Sequence, residues 1–219
     1  MLQQLLGLFK DRREIFDLTT LEDPIALKTR WSPLEAGGNS FCTHRLLSKQ
    51  GRLHINNPNS ALQMQVTLAA NLFCFFFIGL GLVITGVVMD FINDPSVVSS
   101  GNLPPELASI IPLFFSVFGA GFLWRLHQKN VIFNKKEGIY ISQRRSFPLN
   151  DVHAIQLIRE YVAGSKHSYY SYEMNLVLHN GERFNITDHG SLHAIRFDAE
   201  KLANYLNIPV WDMIDFQLK

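Results

Sequence analysis

The stretch "NLFCFFFIGLGLVITGVVMDFI", Asn71 to Ile92, decides how the rest of this chain is interpreted. No side chain from Leu72 to Met89 is charged, and the polar ones there are Cys74 and Thr85. An apolar run of about 18 residues is the length at which a transmembrane helix becomes a candidate. A soluble helix of this length would show a polar face at a period of 3.6, and this stretch has none. The sequence therefore predicts a membrane span.

A second apolar run supports the membrane interpretation. "LASIIPLFFSVFGAGFLW", Leu107 to Trp124, also lacks charged residues. A helix from Pro105 to Leu126 would be roughly 34 Å long, enough to cross a hydrocarbon core of about 30 Å. We therefore predict a membrane α-helical hairpin over residues 62–128, with spans at about residues 66–90 and 105–126. The alternative is a soluble domain with two buried helices.

Small residues on both runs predict close contact between the two helices. They are Gly79, Gly81, Thr85 and Gly86 on the first run, and Ser116, Gly119, Ala120 and Gly121 on the second. The same residues could instead contact another membrane protein. Neither run contains an ionisable side chain of the kind that marks a transport path, which argues against a transporter.

The distribution of charge predicts the orientation. The chain carries a net charge of +1, so no global field favours a nucleic acid partner. Lysine and arginine occur before the first run and after the second, whereas the connecting loop from Asp90 to Glu106 has acidic residues and no basic one. The positive-inside rule then places both termini in the cytoplasm.

Residues 1–61 are expected to form a cytoplasmic segment of their own. "MLQQLLGLFKDRREIFDL", Met1 to Leu18, has apolar and polar residues on opposite sides of a helix. This predicts an amphipathic helix, which lies either on the membrane surface or against the cytoplasmic domain. Residues 31–61 are expected to be irregular, with a turn at Gly37 and Gly38.

Residues 129–219 show the alternation and turns of an α+β cytoplasmic domain. Hairpins are predicted at Lys135–Gly138 and at Asn180–Gly181, with a polar loop over Gly164–Ser171. A helical stripe follows, which Pro209 ends; its members are Leu192, Ile195, Ala199, Leu202 and Leu206. We expect an antiparallel sheet or open barrel closed by a C-terminal helix.

The order of these elements resembles the bacterial membrane-anchored proteins with a pleckstrin-homology-like (PH-like) domain. The segments "FPLNDVHAIQLI" and "NLVLHNGERFNI" carry the resemblance, which extends from Trp124 to Leu206. That family has no shared catalytic residues. The resemblance implies a non-enzymatic bacterial inner-membrane protein whose domain binds a partner protein, as a subunit, scaffold or accessory factor of a membrane complex.

Two groups of residues are candidate binding sites. A basic cluster follows the second span and is expected to contact anionic lipid headgroups; it consists of Lys129, Lys135, Lys136, Arg144 and Arg145. Tyr169, Tyr170 and Tyr172 are expected to form an exposed loop that binds a partner protein. The alternatives are that the basic residues only set the topology and that the tyrosines fold back on the sheet.

No catalytic, metal or cofactor site is predicted. The sequence has no glycine-rich phosphate loop, no GxSxG motif and no CxxC pair. His189 and His193 are four residues apart, but no third metal ligand is evident. Asp188 or Ser191 is expected to cap the last helix. The alternative function is an enzyme, or a lipid-headgroup-binding protein, at the inner leaflet, with His44, Asp188 or His189 at the membrane face.

Overall fold

A computed structural model describes residues 13–34, 36–49, 61–92, 105–129, 131–143, 145–164 and 167–218. Within these ranges the chain is mixed α/β, with four α-helices and three sheets. It divides into two compact units, one formed by Met1–Gln63 with Val131–Lys219 and the other by Met64–Asn130. We call them the sheet unit and the helix unit.

The elements are numbered in chain order. They are β1 (Glu14–Phe16), α1 (Pro24–Lys28), β2 (His44–Ser48), β3 (Leu62–Val66), α2 (Leu68–Ile92), α3 (Pro105–Gln128), β4 (Ile132–Asn134), β5 (Ile139–Ile141), β6 (Ser146–Pro148), β7 (Val152–Val162), β8 (Tyr169–Leu178), β9 (Arg183–His189), α4 (Leu192–Leu206), β10 (Val210–Asp212) and β11 (Phe216–Leu218).

The helix unit consists of α2 and α3, which pack against each other in antiparallel directions. The hydroxyl of Ser116 on α3 donates a hydrogen bond to the carbonyl of Ile78 on α2, at 3.1 Å. A Cβ atom added at Gly119 would lie 2.9 Å from the carbonyl oxygen of Cys74. Nothing lies within 4 Å of such an atom at Gly79. Some of the small residues therefore allow close contact between the helices, and others do not take part in it.

One helix of the described residues has the length and composition of a membrane span. It is α2, whose residues Leu68–Phe91 include an 18-residue stretch with a mean hydropathy of 2.6, and only 11% of that stretch is buried. The second predicted span is present as the helix α3, but α3 does not meet the same criterion over the residues that the structure describes. Its last turn carries Arg125 and His127.

A four-stranded sheet, in the order β10-β7-β8-β9, lies at the centre of the sheet unit. Strands β7 and β8 pair antiparallel from Val152–Leu178 to Val162–Tyr169. The predicted hairpin at Asn180–Gly181 joins β8 to β9, and Gly181 has a φ of 86°. A purely antiparallel sheet is the wrong expectation at one edge, because β10 pairs parallel to β7.

The chain does not end at the predicted closing helix. The last helix, α4, has Asn207 at its C-terminal cap in the left-handed conformation, with a φ of 61°. The carbonyl of Pro209 then accepts a hydrogen bond from the amide of Ile155 on β7, at 2.9 Å. Pro209 thus ends the helix as expected, and the residues after it continue the sheet.

The five-stranded sheet combines residues from before and after the helix pair. Its order is β2-β3-β4-β5-β6. Leu62 on β3 pairs with Phe133 on β4, and the predicted hairpin at Lys135–Gly138 joins β4 to β5, with a φ of 66° at Gly138. The structure differs here from the expected segments 1–61, 62–128 and 129–219, because the residues before the helices and those after them form one unit.

The expected amphipathic helix is wrong where the structure describes it. Ile15 and Phe16 lie in β1, which pairs parallel with β11. The ring of Phe16 contacts that of Phe216, with centroids 5.1 Å apart. The two ends of the described chain therefore form a two-stranded sheet. The first twelve residues of the expected helix lie outside the described residues.

The core of the sheet unit covers both faces of β7 and β8. On one face, α4 buries Ile195, Ala199 and Leu202 of its predicted stripe. Ser191, one of the two residues expected to cap this helix, accepts a hydrogen bond from the amide of Ala194. On the other face Ala26 of α1 packs in a cluster with Ala154, Val177 and Trp211. Both faces are thus covered by elements distant in sequence.

We predict that Leu202→Ala lowers the melting temperature of the full-length protein in detergent. Leu202 is fully buried, and truncating a buried leucine costs about 2–5 kcal/mol because it leaves a cavity. Asn204→Ala, at an exposed position of the same helix, serves as the control. Equal melting temperatures for the two variants would show that α4 does not close the core.

Candidate functional site

The end of the β7–β8 hairpin carries an exposed group of large side chains. Tyr161 and Tyr170 are cross-strand partners with ring centroids 5.4 Å apart. The guanidinium of Arg159 lies 4.5 Å from the centroid of the Tyr170 ring. Tyr161 is 56% exposed and Tyr170 is 45% exposed. We call Arg159, Tyr161 and Tyr170 the aromatic patch.

Strand β8 separates Tyr169 from Tyr170 and Tyr172, the other two tyrosines predicted to share a binding loop. The expected loop Gly164–Ser171 is shorter, because β8 already begins at Tyr169. Successive side chains of a strand point to opposite faces. The Tyr169 hydroxyl therefore donates to the carbonyl of Gly38 on one face, at 2.8 Å, while Tyr170 belongs to the aromatic patch on the other. Tyr172 is half-buried.

A cleft opens beside the aromatic patch. It has a volume of about 200 Å³, and Arg159 lines it together with Trp31, Ile158, Met213 and Phe216. Energetically important residues of protein interfaces are enriched in tryptophan, tyrosine and arginine and lie in well-packed pockets. The patch and the cleft thus offer anchors and a pocket of the kind that protein partners use.

On the other face of β7 and β8, a short segment before the helices is held by side chains of the sheet. The carboxylate of Glu160 accepts hydrogen bonds from the amides of Gly37, at 2.9 Å, and Gly38, at 3.0 Å. The hydroxyl of Ser171 donates to the carbonyl of Asn39, at 3.1 Å. We call residues 36–39 the glycine strap. Just before it, the amide of Leu34 donates to the carboxylate of Glu173, at 2.8 Å.

A buried polar cluster lies on the same face. The side-chain oxygen of Gln156 accepts hydrogen bonds from Arg183, at 2.8 Å, and from Asn175, at 3.3 Å. The Gln156 amide group donates to the carbonyl of Arg30, at 3.1 Å. Burial lowers the pKa of Arg183, an effect that the Glu173 charge opposes. Polar side chains on this face therefore bind one another and the backbone of the covering segment, although Oδ1 of Asn175 has no hydrogen-bond partner among the described residues.

The described residues of the predicted lipid-binding cluster lie in two turns of the sheet unit and at the end of the helix unit. Lys135 and Lys136 lie in the turn before β5, and Arg145 lies in the turn after it. The ammonium of Lys135 donates to the carbonyl of Tyr205, at 2.7 Å, and the guanidinium of Arg145 lies 5.0 Å from the ring centroid of Phe184. Lys129 is exposed in the helix unit. Arg144 is outside the described residues.

A buried ion pair joins β2 to α4. The Asp198 carboxylate accepts hydrogen bonds from Nε of Arg45, at 2.8 Å, from Nη2 of Arg45, at 3.0 Å, and from the amide of Leu46, at 3.0 Å. The bond to Asp198 raises the pKa of Arg45. The carboxylate is thus fully surrounded by donors, which is what a buried charge requires.

The residues of the alternative enzyme hypothesis, His44, Asp188 and His189, lie in the sheet unit. His44 and His189 are both buried. Asp188 is on the opposite side of β9 from its neighbour His189 and accepts a hydrogen bond from Asn185, at 2.7 Å. Burial raises the pKa of the Cys42 thiol, which reduces its thiolate and hence its nucleophilicity.

His189 is held neutral by its surroundings. Burial, together with the positive charges of Arg45 and His44, lowers the pKa of His189 from 6.5 to about 4. Its Nε2 atom has no hydrogen-bond partner among the described residues. His193, the expected companion in a metal site, is exposed on α4. Within the described ranges no three metal-ligating side chains come together to hold an ion.

No protein-family model, no curated protein and no solved structure matches this chain. The chemistry of its own side chains is therefore what points to a function. Among the described residues, the aromatic patch is exposed beside the cleft, and the glycine strap covers the opposite face of β7 and β8.

We predict that the neutral His189 makes the protein less stable in acid. Between pH 6.5 and about 4 the unfolded chain binds a proton at this position and the folded chain does not. Stability at neutral pH is therefore lost as the pH falls through this range, by about 3 kcal/mol.

Chemical unfolding of the full-length protein in detergent at pH 7, 5 and 4 measures this loss. The variant His189→Leu should lose clearly less stability over the same range, and His193→Gln, at an exposed histidine, should behave like the natural chain. An unchanged pH dependence in His189→Leu would rule out the buried imidazole as its cause.

Proposed function

We propose that the chain is a bacterial inner-membrane protein in which α2 and α3 form a membrane hairpin that anchors a PH-like binding unit. The proposed role is that of a non-enzymatic subunit, scaffold or accessory factor that binds a partner protein in a membrane complex. Antiparallel sheets combined with a helix near the end of the chain support the PH-like assignment. The observation that carries the proposal is the outward apolar surface of α2.

This surface of α2 is unlike that of a soluble helix. Its large apolar side chains are exposed around the helix rather than buried in a core. They include Leu72, Phe73, Phe75, Phe76, Leu82, Val83, Val87, Met89 and Phe91. Soluble proteins rarely expose a continuous apolar surface of more than a few hundred Å². Lipid acyl chains are the environment in which these side chains are stable.

The second helix supports a hairpin rather than a single anchor. It exposes large apolar side chains too, namely Ile110, Leu113, Phe114, Val117 and Phe118. The two helices are antiparallel, so residues before α2 and after α3 would lie on the same side of the membrane. The basic residues in both flanks support a cytoplasmic location for that side.

The aromatic patch supports the binding of a protein partner. Tyrosine and arginine bury large areas at interfaces, and tyrosine does so at a small cost in conformational entropy. Arg159 also lines the adjacent cleft. A partner side chain inserted into the cleft would therefore contact a residue of the aromatic patch as well. Of the two tyrosines that the sequence groups with Tyr170, Tyr169 lies on the other face, whereas Tyr172 lies on the face of Tyr170 and is the cross-strand partner of Arg159.

Contact with anionic lipid is a proposed secondary interaction. Lys129 and Lys136 are exposed, and each such charge near the inner leaflet contributes on the order of 1 kcal/mol. Lys135 and Arg145 are partly engaged within the sheet unit. Lipid contact would therefore come from individual charges and would assist orientation more than it would define a specific lipid ligand.

We predict that the full-length protein resists extraction from membranes by alkaline carbonate and is released by detergent. Cysteine variants test the orientation in a background of Cys42→Ser and Cys74→Ser. An impermeant probe outside intact cells should label Ser99→Cys, in the loop between the helices, and should leave Asn204→Cys, on α4, unlabelled. Labelling of Asn204→Cys alone would reverse the proposed topology.

We predict that Tyr161→Ser combined with Tyr170→Ser abolishes capture of the partner in cross-linked membranes. The matched control is Phe197→Ser, which removes another exposed aromatic ring contacted by an arginine, on α4. The species lost from the double variant should remain with the control, as quantified by mass spectrometry. Equal recovery of every cross-linked protein from both variants would exclude the aromatic patch as the binding surface.

A further inference from the structure

Side chains of the sheet hold the glycine strap through hydrogen bonds to its backbone. Glu160 accepts hydrogen bonds from the amides of Gly37 and Gly38. Tyr169 and Ser171 donate to the carbonyls of Gly38 and Asn39. We call the surface formed by Glu160, Tyr169, Ser171 and Glu173 the strap groove. Since these bonds involve main-chain groups, the groove would hold any segment with the same backbone path.

The backbone path itself requires two consecutive glycines. Gly37 has a φ of 84°, a left-handed conformation that glycine adopts at little cost. Gly38 lies so close to the sheet that an added Cβ atom would be 2.7 Å from Cβ of Ser171 and 3.2 Å from Oε2 of Glu160. Glycine is needed at position 37 because of the torsion angle, and at position 38 because the sheet leaves no space for a Cβ atom. The groove thus selects two consecutive glycines by their backbone conformation and by their lack of a Cβ atom.

The strap is weakly held by apolar contacts. Leu34, just before it, is 41% exposed, and Phe41, just after it, is 74% exposed. Segments with few buried apolar contacts open at a low free-energy cost, independently of the core. Departure of the strap would leave the carboxylate of Glu160 and the hydroxyl groups of Tyr169 and Ser171 ready to bind the amides and carbonyls of another extended segment.

We propose that the strap groove is a binding site for an extended Gly-Gly segment of a partner protein, and that the glycine strap is its intramolecular competitor. This inference rests on the proposed function of protein binding and names a partner segment for a surface separate from the aromatic patch. The carboxylates of Glu160 and Glu173 make the groove acidic, so a neutral or basic segment would bind better than an acidic one. The strap would keep the groove closed until such a segment displaces it.

The closed state is favoured by tethering. A linked segment is present at an effective concentration of about millimolar or more, so a free peptide of equal intrinsic affinity competes poorly with the strap. Weakening the strap without altering the groove should therefore uncover peptide binding. Gly38→Ala does this, because its methyl group would contact Ser171 and Glu160 while every groove residue is retained.

The test measures binding of a fluorescent peptide with the sequence of residues 32–41, SPLEAGGNSF, to the full-length protein in detergent. The Gly38→Ala protein should bind this peptide about tenfold more tightly than the natural protein does. A control peptide with alanine in place of its second glycine should bind at least about tenfold more weakly, because it meets the same obstruction. Adding Glu160→Gln to the Gly38→Ala protein should weaken binding of the natural peptide.

A second variant covers the case in which Gly38→Ala does not fold. Gly37→Ala strains the left-handed torsion of the strap, where φ is 84°, retains every groove residue, and should also increase peptide binding over the natural protein. Equal binding of the two peptides, or no gain in either variant, would overturn the proposal. Because no cellular partner takes part, this outcome is distinct from failure of the aromatic patch to capture one.

Discussion

The buried carboxylate of Asp198 joins two parts of the chain that the helix pair separates in sequence. It accepts three hydrogen bonds from Arg45 and Leu46 on β2, which precedes the helices, while Asp198 itself lies on α4, which follows them. Removing one partner of such a pair costs about 3–5 kcal/mol, because the other charge is left buried and uncompensated. The two halves of the chain therefore stabilise each other within the sheet unit.

The pairing of β3 with β4 completes this arrangement. Leu62 and Phe133 are direct partners, so the chain leaves the sheet unit and returns to it on neighbouring strands. The helix unit is thus an insertion between two adjacent strands of one sheet. A fragment that begins after the helices would lack β2 and β3, the helix α1 and the glycine strap, and would expose the faces that they cover.

Local signals in the sequence predicted much of the fold. Uninterrupted apolar composition predicted α2 and α3 to within a few residues, and turn residues predicted the hairpins at Lys135–Gly138 and Asn180–Gly181. Apolar residues at helical spacing predicted α4. The parallel strand β10 was missed, because three residues after a proline give no periodicity to detect.

Contacts between distant residues could not be predicted from local patterns. The Gly37–Gly38 pair was recognised as a turn signal, but its partner Glu160 lies more than a hundred residues away, and only the folded sheet brings them together. Tyr161 was missed for a similar reason, since its position beside Tyr170 depends on the register of β7 and β8. An amphipathic pattern likewise predicted a helix where β1 forms, because pairing with β11 is a long-range constraint that outweighs a local period.

Hydrogen exchange of the full-length protein in detergent, read by mass spectrometry, tests most directly whether the two halves form one unit. We predict that the amides of β2, including that of Leu46, and those of β8 exchange through one opening of the sheet unit, with the same free energy of opening. We also predict that Asp198→Ala raises exchange in both strands. Rapid exchange of β2 while β8 remains protected would show that the residues before the helices fold apart from those after them, which would contradict the account.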